Sequence, residues 1–278
     1  MGSSDVAPAH VPDWAVPLST VALGVGVLCW DAAYVLMTLR SLKTKSYSMP
    51  LLGLALNVSW EIVYALYVCE APLEKAGFTI WLLLDVGLIY TTVKFAPYEW
   101  DRTSPWVGRN VSAILGLMTL VGCMGHFAFV SWWLSRPGIG YGDKSGKWYF
   151  GEDGYDTTEM ATWSAGVAQL VDSAGALAML LVRGHSGGTS YGIWLCRTTG
   201  TISGLVLSNT ILWHWWPEAH GYFVNPLGIF ICGTALLCDV LYPFALWHVR
   251  RTEVILPDGR IVSAGKSGQM QAVEKKVI

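Results

Sequence analysis

Seven stretches of this chain are apolar for long enough to cross a bilayer, which takes about 20 residues per helical span. They are 16–39, 50–69, 78–95, 109–134, 159–183, 192–213 and 224–248. The pattern predicts an all-α membrane protein, a bundle of seven transmembrane helices. Residues 1–15 form a leading segment, 16–250 a single bundle domain and 251–278 a tail. The connections are short except 135–158, which holds six glycines. There the runs Lys147–Phe150 and Gly151–Gly154 predict a small hairpin, within either a lid over the bundle or a disordered connector. The first span is not read as a cleavable signal: no Lys or Arg precedes it, it is too long, and it carries Asp31.

Composition narrows the class. Charged residues make up 14% of the chain and the apolar set 53%, with a mean hydropathy of +0.43. A soluble domain carries about 25% charge, so these values exclude disorder and argue against a soluble enzyme. The net charge of −2 leaves no basic surplus for nucleic acid. Assigning alternate loops to opposite sides puts 14 Lys and Arg on one side, among them Arg197, and 4 on the other (Lys75, Arg136, Lys144 and Lys147). By the positive-inside rule the N-terminus is lumenal or external and the C-terminus cytosolic. The final Lys275-Lys276-Val277-Ile278 then matches a dilysine retrieval signal of the endoplasmic reticulum. Trp132, Trp133, Trp163, Trp213, Trp215 and Trp216 fall at lumenal span ends, as an aromatic belt requires. The six cysteines form no CxxC pair and read as small apolar packers.

The acids inside the spans carry the chemistry. Asp31, Glu61, Asp85, Asp172 and Asp239 lie within predicted spans, where an ionisable group is costly and usually faces the bundle interior. At about 1.5 Å per residue, Asp31, Glu61, Asp172 and Asp239 share one level and Asp85 lies nearer the lumenal side. No Lys or Arg is expected deep enough to neutralise them, and His126 is the one intramembrane histidine candidate. A carboxyl without a cation in a dry site keeps its proton and acts as a donor. The same placement fits a proton relay and plain interhelical hydrogen bonds. Trp30-Asp31-x-x-Tyr34 is echoed by Trp60-Glu61-x-x-Tyr64, and Asp239-x-x-Tyr242 repeats the acid and tyrosine alone. At i, i+3 the pair shares a helical face, so each hydroxyl is expected to orient its acid. A hydrogen-bonded acid beside electron-rich rings suits making and holding a carbocation. Side chains satisfying one another between helices is the plainer reading.

The run Asn57-Val58-Ser59-Trp60-Glu61-Ile62-Val63-Tyr64, with Trp81-Leu82-Leu83-Leu84-Asp85 and Cys238-Asp239-Val240-Leu241-Tyr242-Pro243, resembles the fungal integral-membrane terpene cyclases. These are the paxilline- and pyripyropene-type enzymes of indole-diterpene and meroterpenoid pathways. The likeness runs from about residue 15 to 250. It implies a cyclase whose substrate is a farnesyl- or geranylgeranyl-bearing aromatic, pyrone or indole with a terminal epoxide. An acid protonates the epoxide and the chain closes through cationic steps. On that resemblance Glu61 and Asp239 are the catalytic acids. Glu61 is the general acid; Asp239 shares the proton, holds Glu61 protonated or meets the developing cation. Asp31, Asp85, Asp172, Asn57, Tyr64 and Tyr242 are supporting or pocket residues, with Ser59 beside them, and Trp30, Trp60 and Tyr34 stabilise the cation. A dry pocket protects that cation from water, and a prenylated substrate can enter from the lipid bilayer.

The chain has no DDxxD and no clustered acid pair in a span, so the ligands for magnesium-dependent diphosphate ionisation are missing. It also lacks DxDD. No metal and no organic cofactor is expected, and the oligomeric state is left open. The alternative is a proton-coupled small-molecule transporter using the same acids. A retinal receptor is excluded by the lack of a mid-span lysine.

Overall fold

The computed structural model describes residues 1–265. Helices α1 (Ala15–Thr44), α2 (Leu51–Val63), α3 (Pro72–Trp100), α4 (Pro105–Leu134) and α5 (Thr157–Arg183) follow in order. A π-helical turn, Tyr64–Val68, extends α2. Then come α6 (Tyr191–Thr201), a π-helical segment (Ile202–Leu207) and α7 (Ser208–Trp215), which run end to end. Two short turns, α8 (Pro217–His220) and a 3₁₀ turn (Gly221–Val224), lead to α9 (Pro226–Arg250).

Local sequence explains the ends. Prolines open α3, α4 and α9, where the missing N–H has no partner to lose. Asp156 caps α5 by accepting the Glu159 N–H at 2.9 Å, and Asn225 caps α9 by accepting that of Gly228 at 2.8 Å. Gly184, at φ +64°, ends α5 in the left-handed conformation that glycine adopts freely.

Among the described residues six helices are long and apolar enough to cross a membrane: α1, α2 with its π turn, α3, α4, α5 and α9. The seventh predicted span, 192–213, is built differently. It falls on α6, the π segment and α7 and is rich in polar residues, including Arg197, Thr201, Ser203, Ser208 and Asn209. The composite helix packs on α1, and α6 also meets α9. The other main pairings are α5 with α9, α2 with α4, and α3 with α1 and α4.

Burial runs opposite to that of a water-soluble bundle. Leu28, Leu83, Leu117, Val182 and Phe230 are exposed on five different helices, whereas Glu61, Asp85, Asp172, Arg197 and Asp239 are buried. Large apolar outer faces fit a hydrocarbon surround.

The 135–158 connection is ordered. The predicted hairpin forms, with β1 (Trp148–Tyr149) antiparallel to β2 (Glu152–Asp153). The leading segment joins it: the Val6 N–H donates to Gly146 O at 2.8 Å, and Asp5 pairs with Lys147 at 2.7 Å. Lys147 is fully buried, stacks over Trp216 at 4.4 Å and contacts His220 Nε2 at 2.9 Å. Lys144 pairs with Asp156 at 2.9 Å and Glu159 at 2.6 Å. These lysines therefore serve as internal ties of a folded plug at one end of the bundle.

The belt expectation needs correcting at two positions. Trp133 and Trp216 are buried. Trp133 donates to Asp156 O at 3.1 Å, and Trp216 supports Lys147. Span-end position alone does not tell a lipid-facing indole from one turned into a plug. All six cysteines are free thiols. A second hairpin, β3 (Glu253–Ile255) with β4 (Ile261–Ser263), follows α9. The dilysine-like tail lies outside the described residues.

Candidate active site

Helices α1, α2 and α3 bring four polar side chains to one point. Asn57 Nδ2 donates to Glu61 Oε1 at 2.8 Å and reaches Asp85 Oδ2 at 3.4 Å. The Tyr34 hydroxyl donates to Glu61 Oε1 at 3.3 Å and accepts from Asn57. The Asn57 amide thus bridges the Glu61 and Asp85 carboxyls. Both acids are fully buried, and neither contacts a Lys, Arg or His. Glu61 Oε2 and Asp85 Oδ1 have no hydrogen-bond partner. Asp85 thus lies level with Glu61, not nearer the lumenal side as its depth estimate had it. Helix α3 extends beyond the predicted 78–95 by similar lengths at both ends, so its middle is unchanged; Asp85 lies ten residues from position 95, about 15 Å along the axis, which is the level of the other acids.

An aromatic box sits one turn away. Trp60 packs on Tyr64 (5.0 Å between ring centroids), Phe78 (4.8 Å) and Trp81 (5.9 Å). Ser164 on α5 holds it, accepting from the Trp60 indole at 3.0 Å and bonding the Tyr64 hydroxyl at 2.6 Å. Trp30 is edge-on to Tyr34 at 5.8 Å on the α1 side. Asp31 is half-buried beside the Trp81 indole, and its Oδ1 has no hydrogen-bond partner. Ser59 is spent on packing, bonding Leu56 O at 2.9 Å under Gly122 of α4.

Asp239 and Asp172 belong to a second cluster, where sequence reasoning missed Arg197. Its Nη2 pairs with Asp239 Oδ1 at 2.9 Å and its Nη1 with Asp172 Oδ2 at 3.4 Å, all three side chains being buried. The guanidinium lies 5.4 Å from the Tyr242 ring centroid. Arg197 lies in helix α6 and not in a loop, and the expectation that no basic side chain neutralises the buried acids is overturned for Asp239 and Asp172. Arg197 is six residues into α6, roughly 9 Å along its axis. That distance was a usable signal. Asp172 also lies against Gly53 of α2, whose added Cβ would be 3.1 Å from Oδ1, so the two clusters are neighbours.

The i, i+3 pairing of acid and tyrosine does not occur within helices. Tyr34 bonds Glu61 of the next helix, Tyr64 bonds Ser164, and Tyr242 bonds Thr189 at 2.9 Å. A rigid phenol carries its hydroxyl past the short acid on its own helix and onto a neighbour. Tyr34, read from the sequence as a cation-stabilising ring, also touches the acid.

Glu61 lines neither of two surface clefts among the described residues. An apolar groove of about 440 Å³ between α2 and α4 is lined by Leu52, Leu56, Met118, Gly122 and His126. A cleft of about 30 Å³ lies at the opposite side from the plug, near Glu99 and His185. Among the described residues no three His, Cys, Asp or Glu side chains converge as metal ligands.

Comparison with known proteins decides the family. The model of the Pyr4-like transmembrane terpene cyclases matches residues 4–252. This chain belongs to that family. The terpene cyclase ascF of Acremonium egyptiacum is 41% identical, over 92% of this chain and 91% of the relative. The terpene cyclase penB of Penicillium crustosum is 34% identical over 87% of this chain and 90% of its own length. The terpene cyclase paxB of Penicillium paxilli is 30% identical over 85% and 86%. No solved structure matches the chain. The family supports a membrane-embedded cyclase, as the resemblance implied, and gives the transporter alternative no support.

Proposed function

We propose that this protein protonates the terminal epoxide of a prenylated aromatic or similar acceptor and drives cationic ring closure. The observation that carries the reading is the cation-free Glu61–Asp85 pair. Both acids are buried, Asn57 and Tyr34 orient them, and two of their oxygens have no partner. A buried carboxyl oxygen left unpaired in an otherwise satisfied network marks a place for another group. An epoxide oxygen is a weak base, and a carboxyl shielded from water is the donor it needs.

Glu61 is the general acid. Asp85 shares its proton and Asn57 holds the pair in register. The Trp60, Tyr64, Phe78 and Trp81 rings face the developing cation, which aromatic quadrupoles attract. Trp30 and Asp31 line the α1 side, and Asp172, Asp239 and Tyr242 bound the site beyond Tyr34. The α6–α7 composite is the seventh crossing, which puts the plug in the lumen and the C-terminus in the cytosol of the endoplasmic reticulum. The reaction uses no metal and no organic cofactor.

Microsomes bearing the chain, incubated with an epoxyfarnesyl aromatic, test this beside Glu61→Gln. Wild type should give a new product of unchanged mass, because ring closure is an isomerisation, and the variant none. A product surviving Glu61→Gln would remove Glu61 as the acid. No product from any epoxyprenyl acceptor would refute epoxide opening.

A further inference from the structure

Glu61, Asp85, Asp172 and Asp239 are buried in the bundle interior, and Arg197, buried with them, pairs with only two of the four. A guanidinium stays cationic at every accessible pH. Buried in a low-dielectric interior, it needs a carboxylate opposite. Arg197 takes Asp239 as its nearer partner, at 2.9 Å, and Asp172 as its farther one, at 3.4 Å. The Glu61–Asp85 pair has no such cation. Asp239 Oδ2 and both Asp172 oxygens make no hydrogen bond, so a free lone pair remains on the Arg197 side as well. Tyr34 bonds Glu61, and Asp172 lies against Gly53 of α2, the helix that carries Glu61.

We infer that Arg197 is a positioning residue that keeps Asp239 an ionised carboxylate, so that Asp239 accepts the proton ending the ring closure that Glu61 begins. The inference rests on the cyclase reading above. In the first step the Glu61 proton passes to the epoxide oxygen. The C–O bond breaks, its electron pair stays on oxygen as a hydroxyl, and alkene π electrons form the ring C–C bonds. In the last step a C–H bond beside the final cation breaks. Its electrons form a C=C bond and its proton goes to Asp239 Oδ2. Substrate and product are isomers. The enzyme ends with one proton moved from Glu61 to Asp239, which returns before the next turnover. One arginine between two acids leaves that side net negative while both are ionised, the sign that draws a cation toward its terminus.

The test compares wild type, Arg197→Lys, Arg197→Met, Asp239→Asn and Glu61→Gln in microsomes and in purified detergent samples. Epoxide consumption, mature product and the infrared C=O band of protonated carboxyls are followed together. In Arg197→Met the share of consumed epoxide that becomes mature product should fall by about tenfold or more, with water-quenched or partly closed products in its place. Arg197→Lys, which keeps the charge, should restore most of that share. In the infrared, Asp239→Asn should remove no protonated-carboxyl band from the Arg197 background, whereas Glu61→Gln should. A protonated-carboxyl band in wild type that Asp239→Asn abolishes would overturn the proposal. So would Asp239→Asn retaining the wild-type product distribution. Should Arg197→Met fail to fold, the Asp239→Asn and Arg197→Lys arms still decide. Should wild type consume no epoxide, the cyclase reading fails separately, and the infrared arm still reports whether Asp239 is ionised.

Discussion

A close backbone approach between α1 and the composite helix gives a prediction with a magnitude. Gly26 of α1 faces Gly200 and Gly204 on the composite helix. A Cβ added at Gly26 would lie 2.5 Å from Gly204 Cα, 2.6 Å from Gly204 N and 2.9 Å from Gly200 O. All three are backbone atoms, so no side chain can swing away. Restoring an ordinary contact of 3.4 Å from 2.5 Å requires about 0.9 Å of separation between two long helices. An extra methyl in a tight contact costs about 1–3 kcal/mol, and this rigid case belongs at the upper end. About 3 kcal/mol lowers the folded-to-unfolded ratio by roughly a hundredfold. Gly204→Ala should cost less, because its Cβ would meet only Gly26 Cα closely, at 3.3 Å. Gly24→Ala, with nothing within 4 Å, should be neutral or slightly stabilising, since Ala is the better helix former by about 1 kcal/mol. Unfolding in mixed detergent micelles, followed by tryptophan fluorescence, ranks the three. Because α1 also carries Tyr34, Gly26→Ala should lower turnover as well. Equal stability for Gly26→Ala and wild type, or equal damage from Gly24→Ala, would refute the close-packing argument.

Two further outcomes are expected. Asn57→Leu removes the donor bridging Glu61 and Asp85, so kcat should fall by about tenfold to a hundredfold with little change in KM; an unchanged kcat in assays on the epoxyprenyl substrate would show that the bridge does not orient the acid. In the plug, burial and then Lys147 hold His220 well below its ordinary 6.5, so folded His220 resists the proton its unfolded counterpart accepts. Thermal stability should therefore decline as pH falls below that value, and His220→Gln should flatten the decline between about pH 7 and 5. Lys147, Lys144, Asp156, Tyr222 and Trp216 are the groups facing His220. Burial pushes Asp156 up, but Lys147 and Lys144 bring it below its ordinary 3.8, so it adds a loss of the same sign at lower pH. Asp5, raised by burial against the pull of Lys147, opposes it. A melting temperature independent of pH over this range in both proteins would exclude His220 as the source.

The membrane class and six helices long and apolar enough to cross were legible because hydrocarbon imposes a one-dimensional rule: a span must be apolar for about 20 residues whatever it packs against. The hairpin at Trp148–Asp153 was legible from its glycines for a similar local reason. Glu61 and Asn57 sit one turn apart on α2, so their contact is also a property of the chain alone. What lies across helices was not. Asp85 joining Glu61, Tyr34 reaching over from α1, and Ser164 fastening the Trp60–Tyr64 pair depend on how α1, α2, α3 and α5 are rotated and shifted against one another. Arg197 shows the limit most plainly. A charge near the end of an apolar run reads as a loop residue until a partner is seen, and its partners lie on α5 and α9, 25 and 42 positions away. The sequence by itself determined the solvent, the helices and the presence of buried acids. Tertiary packing alone decided which acids are paired with a cation and which are not, because electrostatic partnership falls off over a few ångströms of space and not along the chain.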